Sequence, residues 1–281
     1  MEGEEQNADE GSGYGIASVY TQPHLRKKGY ASHMMRLLHY VIAAPELLPT
    51  FPESWGLPPK ASSETANGIV SVLYSDVGEE FYAKCGMTLG GVGWRPDSTR
   101  TTVWELSGSG PNTDLGEVEW LNELSMQKVL EEEEPLIFQE IARVGGGTRF
   151  SLLPADHQVE FQVERSKLTP GLPLDKQAKW GAKCSNAGSD FTTWTYEARP
   201  APSRLILTRL RASVATLEIL IAAAMKAAEE QGMETVEVWG FPEELVQAAQ
   251  DLGGKTFSRG EHIPSVRWYR KGDVKWVYNE K

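Results

Sequence analysis

Three basic residues and a glycine, Arg26, Lys27, Lys28 and Gly29, interrupt the stretch "SVYTQPHLRKKGYASHMM", Ser18 to Met35, between an apolar run and a helical pattern. With Ala31 they make R-x-x-G-x-A. The start of a helix leaves backbone N–H groups without acceptors and carries partial positive charge, so an anion can dock there. Gly29 allows a ligand close to the backbone, and Ala31 keeps the first turn bare. Arg26, Lys27 and Lys28 supply cationic donors suited to phosphate. The spacing fits a diphosphate; the alternative is a solvated basic connection. A second candidate is Tyr82 in "LYSDVGEEFYAKCGM", a phenol on a short helix. It can give up a proton or simply pack its ring against a sheet.

The elements that must hold these groups follow from periodicity. "YGIASVY", Tyr14 to Tyr20, reads as a strand ended by Thr21, Gln22 and Pro23. Ala31, Met34, Met35, Leu38, Val41 and Ile42 recur at helical spacing up to Pro45, while His33, Arg36 and His39 fall on other faces. The proline-rich run from Ala44 to Gly68 reads as an irregular insertion. "IVSVLYS" is a strand, and "DVGEEFYAKCG" a helix with Asp76 as cap and Gly86 as stop. This order predicts an α/β arrangement with a crossover between parallel strands.

"TTVWEL" adds a strand, and Ser107 to Thr113 is a flexible linker. Beyond it a helix should break at Pro135, its "EEEE" run a solvated face. Gly145 to Arg199 mixes short strands with loops. "RLILTRL", a helix capped by Ser213 with Val214, Leu217, Leu220, Ile221, Ala224, Met225 and Ala228 as its apolar stripe, "ETVEVWG" and "PEELVQAAQDLG" then repeat the strand–helix–strand–helix order, and "SVRWYR" and "VKWVY" close the chain as strands. The second unit has "TRLRASV" with no glycine at its turn and Ala249 where the first has Tyr82, so it repeats the scaffold without the chemistry.

The 281 residues carry a net charge of −11, which argues against a general nucleic-acid binder. Cys85 and Cys184 lie far apart, without metal-ligand spacing, and the scattered histidines share no helix face, so no metal site is expected. Cys85 reads as buried and structural, and Trp239, Trp268 and Trp276 as core or interface. With no long apolar run and an acidic opening, the expected location is cytosolic, without membrane contact, with Met1 to Gly13 a disordered tail.

"SVYTQPHLRKKGYASHMMRLL" resembles the acetyl-CoA signature of the GNAT acyltransferase superfamily, in which a strand leads through x-T-x-P-x-x-R-x-x-G-x-A into a helix. The resemblance implies that Val19 and Thr21 face the pantetheine arm of acetyl-CoA and that Arg26, Lys27, Lys28, Gly29, Tyr30, Ala31 and Ser32 hold its phosphates. "LYSDVGEEFYAKCGM" resembles the later segment of that family and implies that Tyr82 protonates the departing thiolate. "GYGIASVYT", "LYSDVGEEFY" and "VRWYRKGDVKWVYNEK" are similar to fungal lysine N6-acetyltransferases of lysine catabolism, so the implied reaction is acetyl transfer to the side-chain amine of free lysine. No base is assigned, because Glu79 and Glu80 read as solvated helix carboxylates.

The implied fold is α/β: an incomplete GNAT mixed-sheet domain over residues 14–106, then a non-catalytic GNAT-like domain over 114–281. A complete GNAT domain has several strands before the cofactor strand, and only Met1 to Gly13 precede it here. The expectation is therefore a fragment, a shortened gene product or a divergent member, with the cofactor strand at a sheet edge, open to self-association. The alternative function is a CoA-binding or protein-interaction module without turnover.

Overall fold

The computed structural model describes residues 8–106, 114–143, 147–154, 158–169, 172, 174, 178–186 and 188–279. Its elements in chain order are β1 (Ser12–Ile16), α1 (Tyr30–Ile42), β2 (Gly68–Ser75), α2 (Glu80–Ala83), β3 (Arg95–Pro96), β4 (Arg100–Glu105), β5 (Val118–Leu121), α3 (Glu123–Arg143), β6 (Thr148–Phe150), α4 (Gln158–Lys167), β7 (Gly181–Cys184), β8 (Phe191–Glu197), β9 (Arg204–Arg211), α5 (Val214–Glu230), β10 (Thr235–Trp239), α6 (Val246–Asp251), β11 (Lys255–Ser258), β12 (Ile263–Trp268) and β13 (Val274–Trp276). This is the mixed α/β order that the periodicity predicts. Contacts group the chain into two units, each assembled from separate stretches.

The first unit comprises Met1–Thr99, Ala142–Phe150 and Arg259–Val277. Its main sheet has the order β1-β2-β12-β3. β1 and β2 run parallel with α1 in the connection, as expected, and β12 is antiparallel to β2 and β3. Thus β12, which the sequence reading placed with the C-terminal unit, groups with the first one. The expected linker, Ser107 to Thr113, lies outside the described residues.

The strand expected over Tyr14–Tyr20 is displaced. It starts at Ser12, so Ser12 and Gly13 belong to β1 rather than to a disordered tail, and it ends at Ile16. Pairing with Gly68 through Leu73 of β2 satisfies its backbone on one side, whereas Ser18 adopts a left-handed φ of 58°, which a strand cannot contain. β1 lies at the edge of its sheet, as expected. The proline-rich insertion forms short 3-10 turns at Pro45–Leu47 and Glu53–Trp55. It packs Leu47, Leu48, Phe51 and Trp55 against Tyr40 and its neighbours on α1, while Leu57 stays exposed.

The second unit comprises Arg100–Ile141, Ser151–Ser258 and Tyr278–Lys281. Its seven-stranded sheet has the order β11-β4-β10-β9-β8-β7-β5, with β9 and β10 parallel across α5. The predicted stripe on α5 is buried from Leu217 through Ala228, while Val214 at the first turn is exposed, and Thr216 Oγ1 accepts from the Ser213 N–H at 2.9 Å to fasten the helix start. The helix α4 was not legible in the stretch read as strands and loops.

Two expectations for α3 are overturned. It runs through Pro135 without a break, because that ring is exposed and the carbonyl losing its N–H partner belongs to the exposed Glu131, where water can replace it. Nor is the whole "EEEE" run a solvated face: the Glu133 side chain is fully buried. Its Oε1 accepts from Arg209 Nε at 3.0 Å and its Oε2 from Arg211 Nε at 2.6 Å, with a further contact from Arg209 Nη2. Glu140 accepts from Arg211 at 2.7 Å and from Tyr278 Oη at 2.6 Å, and the Arg209 guanidinium lies 4.4 Å from the Tyr278 ring centre.

Candidate functional site

The site is built within the first unit, where β1 and β2 part. Their pairing ends at Ile16 with Leu73, yet β2 continues to Ser75 with β12 as its partner. Ala17 through Gln22 therefore leave the sheet edge and lead into a 3-10 turn at Pro23–Leu25. Val19 and Thr21, expected on the cofactor strand, lie in this departing segment, both half-buried. Val19 packs with Ile16, Leu38 and Phe81 against a buried cluster of Met35, Leu73, Tyr82, Cys85 and Trp94. The segment proposed for the pantetheine arm and the proposed acid thus belong to one apolar cluster.

The basic turn follows. Arg26, Lys27, Lys28, Gly29 and Tyr30 are exposed, and Ala31 and Ser32 half-buried. Arg26 Nε donates to the Thr21 carbonyl at 3.0 Å, and its guanidinium lies over the Tyr20 ring at 5.6 Å. Among the described residues none of the three cations has a carboxylate partner. Gly29 is the N-cap of α1 with φ 82°, and Lys27 has φ 61°, so two left-handed residues bracket Lys28. A Cβ at Gly29 would meet only Ser32 Oγ at 3.9 Å; the backbone angle, not crowding, favours glycine. Among the described residues no side chain caps α1. Ser32 Oγ donates to the Gly29 carbonyl at 2.9 Å, and the first intrahelical bond runs from the His33 N–H to the same carbonyl. The amides of Tyr30, Ala31 and Ser32 precede that bond and are left for a ligand or water. These residues fit a diphosphate.

Tyr82 lies on α2, a single turn of four residues rather than the longer helix expected from Asp76 to Gly86. Asp76 does not cap it, because its Oδ1 lies 2.7 Å from His262 Nδ1 and also accepts from the His262 N–H. Tyr82 is 9 % exposed, and its ring meets Phe81 edge-on at 4.9 Å and Trp94 at 6.4 Å. Burial raises its pKa above 10, with the Asp76 and Cys85 charges acting in the same direction. The phenol therefore keeps its proton at neutral pH, and its hydroxyl makes no hydrogen bond to another described residue. Glu80 is paired with Lys84 at 2.5 Å on an exposed face. Cys85 is buried as expected, and burial pushes its thiol upward.

Sequence reading missed a buried polar chain beside Tyr82. His39, placed by its spacing away from the apolar stripe, is wholly buried and stacked on Trp94 with ring centres 4.2 Å apart. A carbonyl can only accept, so His39 Nε2 carries a proton and donates to the Cys85 oxygen at 2.8 Å. An indole N–H can only donate, so Trp94 Nε1 donates to Ser71 Oγ at 3.0 Å. Ser71 then donates to Tyr269 Oη at 2.9 Å, and Tyr269 donates to His39 Nδ1 at 2.9 Å. The direction is fixed at both ends, and every member is satisfied with a neutral imidazole. Tyr269 comes from just beyond β12, so no local signal could have revealed the chain.

Burial lowers the His39 pKa from 6.5 to about 4; the Cys85 bond opposes this and the nearby Arg267 cation reinforces it. The unfolded chain takes up the proton near pH 6.5 and the folded one only near 4. Stability present in full above 6.5 is thus lost as the pH falls through that window, by about 3 kcal/mol at most. Urea midpoints at pH 7 and pH 4.5 should fall further apart for the native protein than for His39→Gln; equal separations would remove His39 from the acid response.

A family profile described as the LYC1 GNAT-like C-terminal domain matches residues 103–281. The match begins downstream of the basic turn and of Tyr82. No curated protein matches the chain. Similar solved structures include a GCN5-related N-acetyltransferase from Kribbella flavida, at 15 % identity and TM-score 0.47, aligned over 91 % of this chain and 52 % of that one. Another, from Anabaena variabilis ATCC 29413, gives 13 % and 0.39 over 91 % and 55 %. A third, from Sphaerobacter thermophilus, gives 11 % and 0.43 over 90 % and 72 %. The chain spans about half the length of the first two.

Proposed function

The chain belongs to the LYC1 GNAT-like family, and from that premise we propose that it transfers an acetyl group from acetyl-CoA to the side-chain amine of lysine. The observation that carries the reading is the turn Arg26–Ser32, which joins three cations without carboxylate partners among the described residues to a helix start with no side-chain cap among them.

In this reading the amides of Tyr30, Ala31 and Ser32, with Arg26, Lys27 and Lys28, hold the phosphates of the co-substrate. Val19 and Thr21 flank its arm where β1 leaves β2. The lysine amine, neutral at the moment of attack, adds to the thioester carbonyl, and the carbon–sulfur bond breaks. Backbone N–H groups at the strand end are suited to the developing oxyanion. Tyr82 faces the departing sulfur with its phenol proton. The pKa of a phenol lies above that of a thiol, so Tyr82 first stabilises the developing thiolate as a hydrogen-bond donor. The proton lost by the amine completes the balance.

The edge position of β1 favours a second reading, a module that binds CoA or a partner strand without turnover. Thiol release separates the two. With acetyl-CoA in excess, lysine should produce free thiol and N6-acetyllysine, and an α-amino acid lacking a side-chain amine should produce neither. Binding of acetyl-CoA with no thiol release for any amine would reject the transferase reading and leave the module.

A further inference from the structure

The four residues of α2 are far too few for a helix to persist by its own hydrogen bonds, and its carbonyls are held by the N–H groups of Lys84, Cys85, Gly93 and Trp94. The carbonyls of the segment that follows the turn are met by α1. Arg36 Nη2 donates to the Lys84 oxygen at 3.4 Å, His39 Nε2 to the Cys85 oxygen at 2.8 Å and Tyr40 Oη to the Met87 oxygen at 2.8 Å. Spacings of three and four residues place all three donors on one side of α1. The helix that begins at the basic turn therefore grips the end of the turn that carries the phenol.

Within that grip His39 is distinct. The Tyr82 carbonyl accepts from the N–H groups of Cys85 and Trp94, both at 3.1 Å. His39 holds both of those residues, Cys85 through its carbonyl and Trp94 through the stacked ring. Its other nitrogen is fixed by Tyr269, so the imidazole cannot turn away. We infer that His39 is a positioning residue for Tyr82, clamping the two backbone partners of that residue to the helix that bears the cofactor turn. The functional meaning of this clamp rests on the transferase reading; its geometry does not.

Two substitutions in the full chain separate positioning from bulk stability. His39→Phe keeps a ring against Trp94 and loses both hydrogen bonds, whereas His39→Gln retains a donor for the Cys85 oxygen. A misplaced reacting group costs up to about a hundredfold, so His39→Phe should lower kcat roughly ten- to a hundredfold with the KM for acetyl-CoA changed less than about twofold. His39→Gln should recover most of that loss. Val70→Ala, a cavity in β2 outside the clamp, should lower thermal stability while leaving kcat near native.

A readout independent of turnover is the 19F NMR line of 3-fluorotyrosine in place of Tyr82. It should be single and unchanged by Val70→Ala, and shifted or split by His39→Phe. An unchanged line, or native kcat in His39→Phe, would overturn the inference, as would equal loss of kcat in Val70→Ala. Should the native chain bind acetyl-CoA and release no thiol, the transferase reading fails and the fluorine line alone decides the clamp.

Discussion

Tyr82→Phe is expected to lower turnover roughly a hundred- to ten-thousandfold while leaving acetyl-CoA binding near its native value. The ring packs among Met35, Leu73, Cys85 and Trp94, and phenylalanine fills the same space. Only the hydroxyl is removed. It bonds to no other described residue, so its loss leaves no stranded buried partner and the fold should hold. Because burial raises the phenol pKa, the alkaline limb of the native kcat profile should lie above pH 10 if Tyr82 is the acid. Single-turnover rates for both proteins, with binding measured separately, decide the matter. Native turnover in Tyr82→Phe would take the residue out of the chemistry.

Glu133→Gln should be the most damaging single polar change in the second unit, at about 3–5 kcal/mol. Glu133 is fully buried and holds two guanidinium groups, one of them, Arg209, only 4 % exposed. The amide keeps the shape and one acceptor oxygen but removes the buried negative charge that the Arg209 and Arg211 guanidinium groups share. For a unit of this size the melting temperature should fall by about 2–4 °C per kcal/mol. The pair Glu133→Leu with Arg209→Met should cost less than Glu133→Gln alone, because it removes both charges from the interior. Denaturant titration of the three proteins tests the point. A loss below about 1 kcal/mol for Glu133→Gln would mean that water reaches the cluster.

The same residue shows where reading the sequence stops. Four consecutive glutamates look solvated because isolated charge runs usually are, and nothing local distinguishes Glu133 from Glu132. The distinction comes from Arg209 and Arg211, more than seventy positions away, on β9. His39 was misplaced for the same reason: its partners Cys85, Trp94 and Tyr269 are brought to α1 by α2 and by the return of the chain through β12. Local signals served better. Gly29 at the start of α1, the stripe on α5 and the parallel strands around α1 and α5 followed from short-range spacing alone. The end of β1 did not, since Ala17 to Tyr20 are good strand residues and only the departure from β2 and the left-handed Ser18 exclude them. Of the candidate site, the turn and the phenol were legible, and the clamp between them was not.

The most direct test is calorimetric titration of the native chain and of Gly29→Val with acetyl-CoA. Gly29 has a left-handed φ and open space around it, so valine strains the turn at the docking backbone without crowding the core. The account predicts one-to-one binding by the native chain, weakened at least about tenfold in a folded Gly29→Val protein. Equal affinity in the two would contradict the role of the turn, and no binding by folded native protein would contradict acetyl-CoA as its ligand.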